Sequence, residues 1–401
     1  MSGIAALAIG YVLSQFYRSF LAVLTPVLTA ELGASKADLS EASGAFFLCF
    51  ALSQFAIGVS LDRFGPRRTA GVLLGVCGGG GAFLFAVATK PWMVTVAMGL
   101  IGIGCAPVLM AALFIFARIY LPARFAVLAS WMVAFGTAGN VIGASPLANA
   151  SEAFGWRPVM VGLGVLTVLT AVAALVLVRD PKQSASEQTG RSGFSGYIEL
   201  LSMRKLWPII PLTAIAYAPS AGIRGLWAGP YLADVYHADT ILIGDVTFFM
   251  ALSMVAGAFV YGPLDQIFRT RKWVAVAGTL VSLASISYLA VNPLTTITGA
   301  TVLLVLIGIS GGSYGLLMAH ARAFLPAHLT GRGVTLMNFF SVGGVGLMQF
   351  ATGSVVTANL APNGEDAAYG ALFTFYAAAL GIALLIYLLA RDAKPHRDLA
   401  T

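Results

Sequence analysis

The sequence predicts an all-α membrane protein of twelve transmembrane helices, arranged as two duplicated sets of six. Three observations carry this reading: a composition unsuited to water, twelve apolar runs of spanning length, and an internal repeat. Of 401 residues, 59% are hydrophobic and only 10% charged, against about 25% charged in soluble domains. The 45 glycines suit closely packed membrane helices. Soluble enzymes, secreted disulfide modules and nucleic-acid binders are excluded at this step. The net charge of +7 is explained by basic loops on one face of a membrane, without an anionic macromolecule as partner. Cys49, Cys77 and Cys105 lie inside apolar runs without metal or disulfide spacing, and they read as packing residues.

A hydrocarbon core of about 30 Å takes about 20 apolar residues as helix. Runs of that kind place spans 1 to 6 near 5–29, 41–61, 70–89, 92–119, 125–148 and 158–178. Spans 7 to 12 fall near 207–232, 241–262, 273–292, 295–320, 333–358 and 367–390. The start, MSGIAALAIGYVLSQFYR, has no basic leader or clear cleavage site and reads as a retained first span. The domains are therefore 1–178, a linker at 179–206, 207–390 and a tail at 391–401. Tyr197 to Trp207, late in the linker, reads as a short surface helix. With both termini cytoplasmic, 18 basic residues fall on the inner side and only Lys36, Lys90 and Arg157 on the other. That asymmetry sets the orientation and implies a multi-pass protein of the cell's inner (plasma) membrane. Two basic residues, Arg18 and Arg224, are left inside the hydrocarbon region.

The repeat joins the two halves. AIGYVLSQFYR (8–18) and AIAYAPSAGIR (214–224) share Ala, Ile, Tyr, Ser and Arg at an offset of 206. ARIYLPA (117–123) and ARAFLPA (321–327) match at 204, and Leu61-Asp62 falls on Leu264-Asp265 at 203. Three matches at nearly one offset indicate a duplicated six-helix unit.

The loop after span 2, GVSLDRFGPRRT (58–69), carries Gly58, Asp62, Arg63, Gly65, Arg67 and Arg68. It resembles the signature of the major facilitator superfamily, with a weaker copy at YGPLDQIFRTRK (261–272). Phe154-Gly155-Trp156-Arg157 and Arg179-Asp180-Pro181 are also similar to that family. The resemblance implies two pseudo-symmetric six-helix bundles that open a central cavity to each side in turn, with substrate near the midplane. A carboxylate with guanidiniums at a helix end can form charge-assisted bonds. Asp62, Arg63, Arg67, Arg68, Asp265 and Arg271 are accordingly expected to form a cytoplasmic latch.

An uncompensated arginine deep in a bilayer costs at least about 2.5–3.5 kcal/mol, so Arg18 and Arg224 must face a partner or water. Tyr11, Ser14 and Arg18 are spaced to share one helical face. Tyr217, Ser220 and Arg224 repeat it, and Trp227 and Tyr231 extend it. All 16 acidic residues fall in loops or at predicted helix ends, so the expected ligand is a small anion held by guanidinium forks. The pattern resembles the organophosphate and organic-anion branches of the superfamily, whose glycerol-3-phosphate/phosphate exchangers grip their anion with arginines on helices 1 and 7. Those exchangers add a Lys and a His that spans 2 and 5 lack here, which places carboxylate ahead of phosphate.

Gln54, Asn140, Ser313, Tyr314, Asn338 and Gln349 either line the cavity or bond helix to helix. His320 and His328 flank the end of span 10 and fit a loop or gate better than proton transfer. Met250 and Met254, with Cys49, offer soft ligands for copper, but two arginines would repel a cation. Gly78–Gly81 lacks the Lys-Ser/Thr of a phosphate loop. Met98 stands where drug/proton antiporters carry an arginine. The expected function is transport of a small organic anion by a monomer, with no cofactor and no enzymatic activity. The alternatives are transport of copper or another cation, proton-coupled drug efflux, and a non-transporting receptor. Glu41 and Asp245 are the only acids placed for proton coupling.

Overall fold

The computed structural model describes residues 2–120, 122–180, 195–326 and 329–393. The linker stretch 181–194, His328 and the tail from 394 lie outside the described residues, and with them Lys182, Arg191, Lys394 and Arg397. Among the described residues every regular element is helical, as a chain must be whose backbone amides have no water to bond.

Among the described residues eight helices are long and apolar enough to cross a bilayer, and the bent pair Ser2–Phe16 and Leu21–Leu32 makes a ninth. One of the eight, Lys36–Ala86, holds spans 2 and 3, which part at Gly65 with φ of 79°. Ser35 and Asp38 start it with a reciprocal capping box, which satisfies two amides of the first turn. Spans 11 and 12 form one run, Thr330–Tyr387, that turns at Gly364. Spans 5 and 7 complete the twelve as broken helices, Pro122–Ile142 with Ser145–Phe154, and Ile210–Ile215 with Pro219–Trp227 and Ala228–Tyr236. Val76, Val176, Phe259 and Leu385 stand exposed on these helices, the surface that hydrocarbon would cover.

Four spans expected to be continuous are interrupted. Span 1 bends by 54° because Tyr17 and Phe20, both fully buried, turn into the core between its two helices. The Tyr17 hydroxyl meets Thr167 Oγ1 at 3.0 Å, and Phe20 packs on Phe85 at 5.3 Å. Span 5 breaks at Gly143-Ala144, just before Pro146 in the next first turn. In span 7, Pro211, Pro219 and Pro230 remove amide donors, and Pro219–Trp227 is π-helical. In span 10 a tight Gly311–Ser313 turn separates Ile297–Ser310 from Tyr314–Arg322.

Packing divides the chain into two compact units. The first comprises Met1–Ser192 with Gly225–Phe248 and Gln349–Ser354; the second comprises Gly193–Arg224, Phe249–Met348 and Val355–Thr401. The first unit thus includes the C-terminal half of span 7. Gly225 and Gly229, four residues apart, bring that half against span 1. A Cβ at Gly225 would stand 2.8 Å from the Arg18 carbonyl oxygen, and one at Gly229 would be 2.9 Å from the Ala22 carbonyl carbon. Polar bonds tie the same unit: Lys36 pairs with Asp234, and Ser145 Oγ donates to Asp245 at 2.8 Å.

Candidate functional site

Arg18 sits in the four-residue turn between the two helices of span 1, not on a continuous face with Tyr11 and Ser14. Its guanidinium lies 4.5 Å over the ring of Phe50, from span 2, a cation–π contact that holds a charge without neutralising it. Arg18 Nε is buried without a hydrogen-bond partner, and no ion pair to Arg18 is found among the described residues. Nearby in sequence, Gln15 Nε2 donates to the Tyr11 hydroxyl at 2.8 Å while Gln15 Oε1 is left unbonded. Gln54, one turn beyond Phe50, reaches the Ala106 carbonyl at 3.5 Å, and its Oε1 is also unbonded. Ser14 is 1% exposed. Buried polar atoms without partners are uncommon, so their recurrence in spans 1 and 2 marks a place suited to a polar ligand.

Arg224 lies in the π-helical stretch of span 7 and is 2% exposed. Its Nε donates to Met254 Sδ at 3.2 Å. Within the same unit Tyr217 packs obliquely on Tyr314 at 5.2 Å, and the Tyr314 hydroxyl donates to Asn338 Oδ1 at 2.7 Å. Ser220 donates to the Tyr217 carbonyl at 3.1 Å. π-Helical turns recur at functional sites, and here one carries the second arginine.

Trp227 bonds within the first unit. It is fully buried, and its Nε1 donates to Gln349 Oε1 and Thr352 Oγ1, each at 2.9 Å. Gln349 Nε2 in turn donates to Ser43 Oγ at 3.1 Å, and Ser40 Oγ donates to the Gln349 carbonyl. Asn140, on Pro122–Ile142, is buried.

The loop clusters contain several bonds within one half. Asp62 is exposed and 3.9 Å from Arg118. The amide of Arg67 donates to Asp180 Oδ1 at 2.9 Å, beside Gly65, whose φ of 79° and contact with the Asp180 carboxyl both require glycine. Arg63 lies over Phe64, and Arg68 is exposed. In the second half Arg271 Nε donates to Asp265 at 3.2 Å. Asp392 accepts from Thr270 Oγ1 at 2.6 Å and from the Lys272 amide at 3.0 Å. Asp180 and Asp392 each follow an arginine at the end of the sixth span of their half, a duplication legible in Arg179-Asp180 and Arg391-Asp392.

Burial alone would raise the Asp392 pKa, but Thr270, the Lys272 amide and His320 outweigh it and hold the carboxyl below its ordinary value. A depressed folded-state value stabilises above the unfolded pKa of about 3.9, and the contribution is lost as pH falls through the folded value. Asp392→Asn is expected to lower the melting temperature at pH 7 and to flatten its fall on acidification. Melting curves from pH 7 to pH 3 check this, and parallel curves for variant and wild type would contradict it.

The Major Facilitator Superfamily model matches residues 7–349. The chain belongs to this superfamily. Among relatives, the "Membrane sensor protein UhpC" of Salmonella typhimurium is 25% identical, over 69% of this chain and 68% of its own. The "Probable L-galactonate transporter" of Escherichia coli is 25% identical, over 73% and 69%. Two solved superfamily structures share the fold. A bacterial homolog of the human lysosomal transporter Spinster, inward-facing and occupied, has a TM-score of 0.73 at 20% identity and covers 96% of each chain. The D-xylose-proton symporter has a TM-score of 0.72 at 13% identity, covering 97% of each. The twelve-helix fold with two related halves is thus the superfamily's own, and the protein is a multi-pass membrane protein of a transporter family.

Proposed function

We propose that the protein carries a small organic anion, a carboxylate ahead of a phosphate, by alternating access. Arg18 and Arg224 bind the anionic group, and Tyr11, Ser14, Gln54, Asn140, Tyr217, Ser220, Trp227 and Tyr314 contribute to the rest of the site. The observation that carries this reading is the Arg18 head group, stacked on Phe50 with a buried Nε that has no hydrogen-bond partner and no carboxylate among the described residues. Such a charge is costly in a membrane protein unless a ligand or water meets it. The relative named for L-galactonate, a sugar-acid anion, supports the class. Met254 lends its sulfur to Arg224, which argues against a copper site at Met250 and Met254. Asp62, Arg63, Arg67, Arg68, Asp265 and Arg271 form the cytoplasmic latch, in an inner-membrane protein with both termini inside.

A thermal-shift screen over sugar acids, simple carboxylates, phosphates and neutral sugars tests the class. A specific ligand at 100 times its Kd stabilises by about 2.7 kcal/mol. Carboxylates are expected to raise the melting temperature and drive counterflow in liposomes. Stabilisation by neutral sugars alone would refute the anion reading. Affinity without counterflow would favour a sensor, the role named for one relative.

A further inference from the structure

We propose that the second unit carries a binding site for the headgroup of an anionic phospholipid, built where the linker enters span 7 and span 12 ends. A cleft of about 240 Å³ is lined there by Arg204, Lys205, Pro208, Leu389 and Arg391. The three basic side chains are exposed, and none has an ion-pair or hydrogen-bond partner among the described residues. The carboxylate next to them in sequence, Asp392, is engaged by Thr270 and the Lys272 amide. Three cations on one small concavity without a counter-ion call for an anion with several acceptor oxygens.

Phosphate chemistry fits that demand, and the surroundings select a lipid as its source. Trp207 is 64% exposed and Leu389 77% exposed, so the cleft opens beside apolar side chains that free phosphate would leave in water. The Trp207 ring is fixed in place, its Nε1 donating to the Leu201 carbonyl at 2.7 Å. Tryptophan is the residue that favours the level of the headgroups. The helix Ser195–Leu201, which leads into this turn, exposes Ile198 and Leu201, and Leu206 is fully buried as an anchor. The arrangement is an interfacial segment with basic and apolar side chains together, and basic residues near a membrane surface draw anionic lipid. The site is separate from the arginines of the transport reading and does not depend on them.

The full-length protein in detergent is titrated with phosphatidylglycerol or phosphatidylcholine, and bound lipid is counted by native mass spectrometry. Wild type is expected to hold phosphatidylglycerol at least tenfold more tightly than phosphatidylcholine. Each of Arg204→Gln, Lys205→Gln and Arg391→Gln should weaken it by up to about fivefold, and the triple variant at least tenfold. Arg124→Gln, an exposed basic change elsewhere, should alter binding less than twofold. Gel filtration and circular dichroism establish that each variant is folded; if the triple variant is not, the single ones decide. Phosphatidylglycerol held equally by wild type and the folded variants would overturn the proposal. So would inorganic phosphate at millimolar concentration that binds the cleft while phosphatidylglycerol does not displace it.

Discussion

Arg18→Gln should lower counterflow of the anion by more than about thirtyfold while leaving the protein folded. Removing one partner of a desolvated charge pair costs about 2–5 kcal/mol of binding. The ligand-free protein should melt no lower than wild type, since an uncompensated charge has been taken out of the membrane protein. Arg18→Lys keeps the charge but loses the planar fork and its stacking on Phe50, and should recover only part of the rate. Arg224→Gln should behave in parallel on the same substrate. Counterflow of labelled anion, with melting curves of each variant, measures both quantities. Wild-type transport by Arg18→Gln would remove the guanidinium from the substrate site.

Gly229→Leu is expected to destabilise the first unit strongly. Its Cβ would press on the Ala22 carbonyl and come within 3.1 Å of Thr25 Oγ1, so spans 1 and 7 would have to separate. Overpacking of this kind costs about 1–3 kcal/mol, and more where backbone is met. Gly262→Leu, a position with nothing within 4 Å, is the matched control and should melt within about a degree or two of wild type. Equal melting temperatures for the two variants would show that this close approach of spans 1 and 7 contributes little.

The helices were legible in the sequence because hydrocarbon leaves the backbone few alternatives. Their breaks were legible only in part. Span 7 was expected to be continuous although Pro211, Pro219 and Pro230 carry a signal for its breaks, whereas 17–20 holds neither Gly nor Pro. There the break comes from Tyr17 and Phe20 turning toward Thr167 and Phe85, partners remote in sequence. The buried arginines stood out by their cost. Phe50 did not, because one more apolar residue in an apolar run gives no sign that it will lie under a guanidinium. Gln15 and the Gly225/Gly229 pair were missed, although the first stands four residues after Tyr11 and the second has the spacing of close helix contact.

The inclusion of Gly225–Phe248 and Gln349–Ser354 in the first unit bears on biosynthesis. Chains leave the ribosome from the amino end, so the six earliest helices enter the membrane well before these pieces exist. Until Gly225 to Asp234 have been translated, the nascent first half keeps its span 1 surface uncovered and Lys36 without Asp234, and Ser40 and Ser43 wait longer still for Gln349. Completion of the first unit therefore waits for residues far beyond its first six helices.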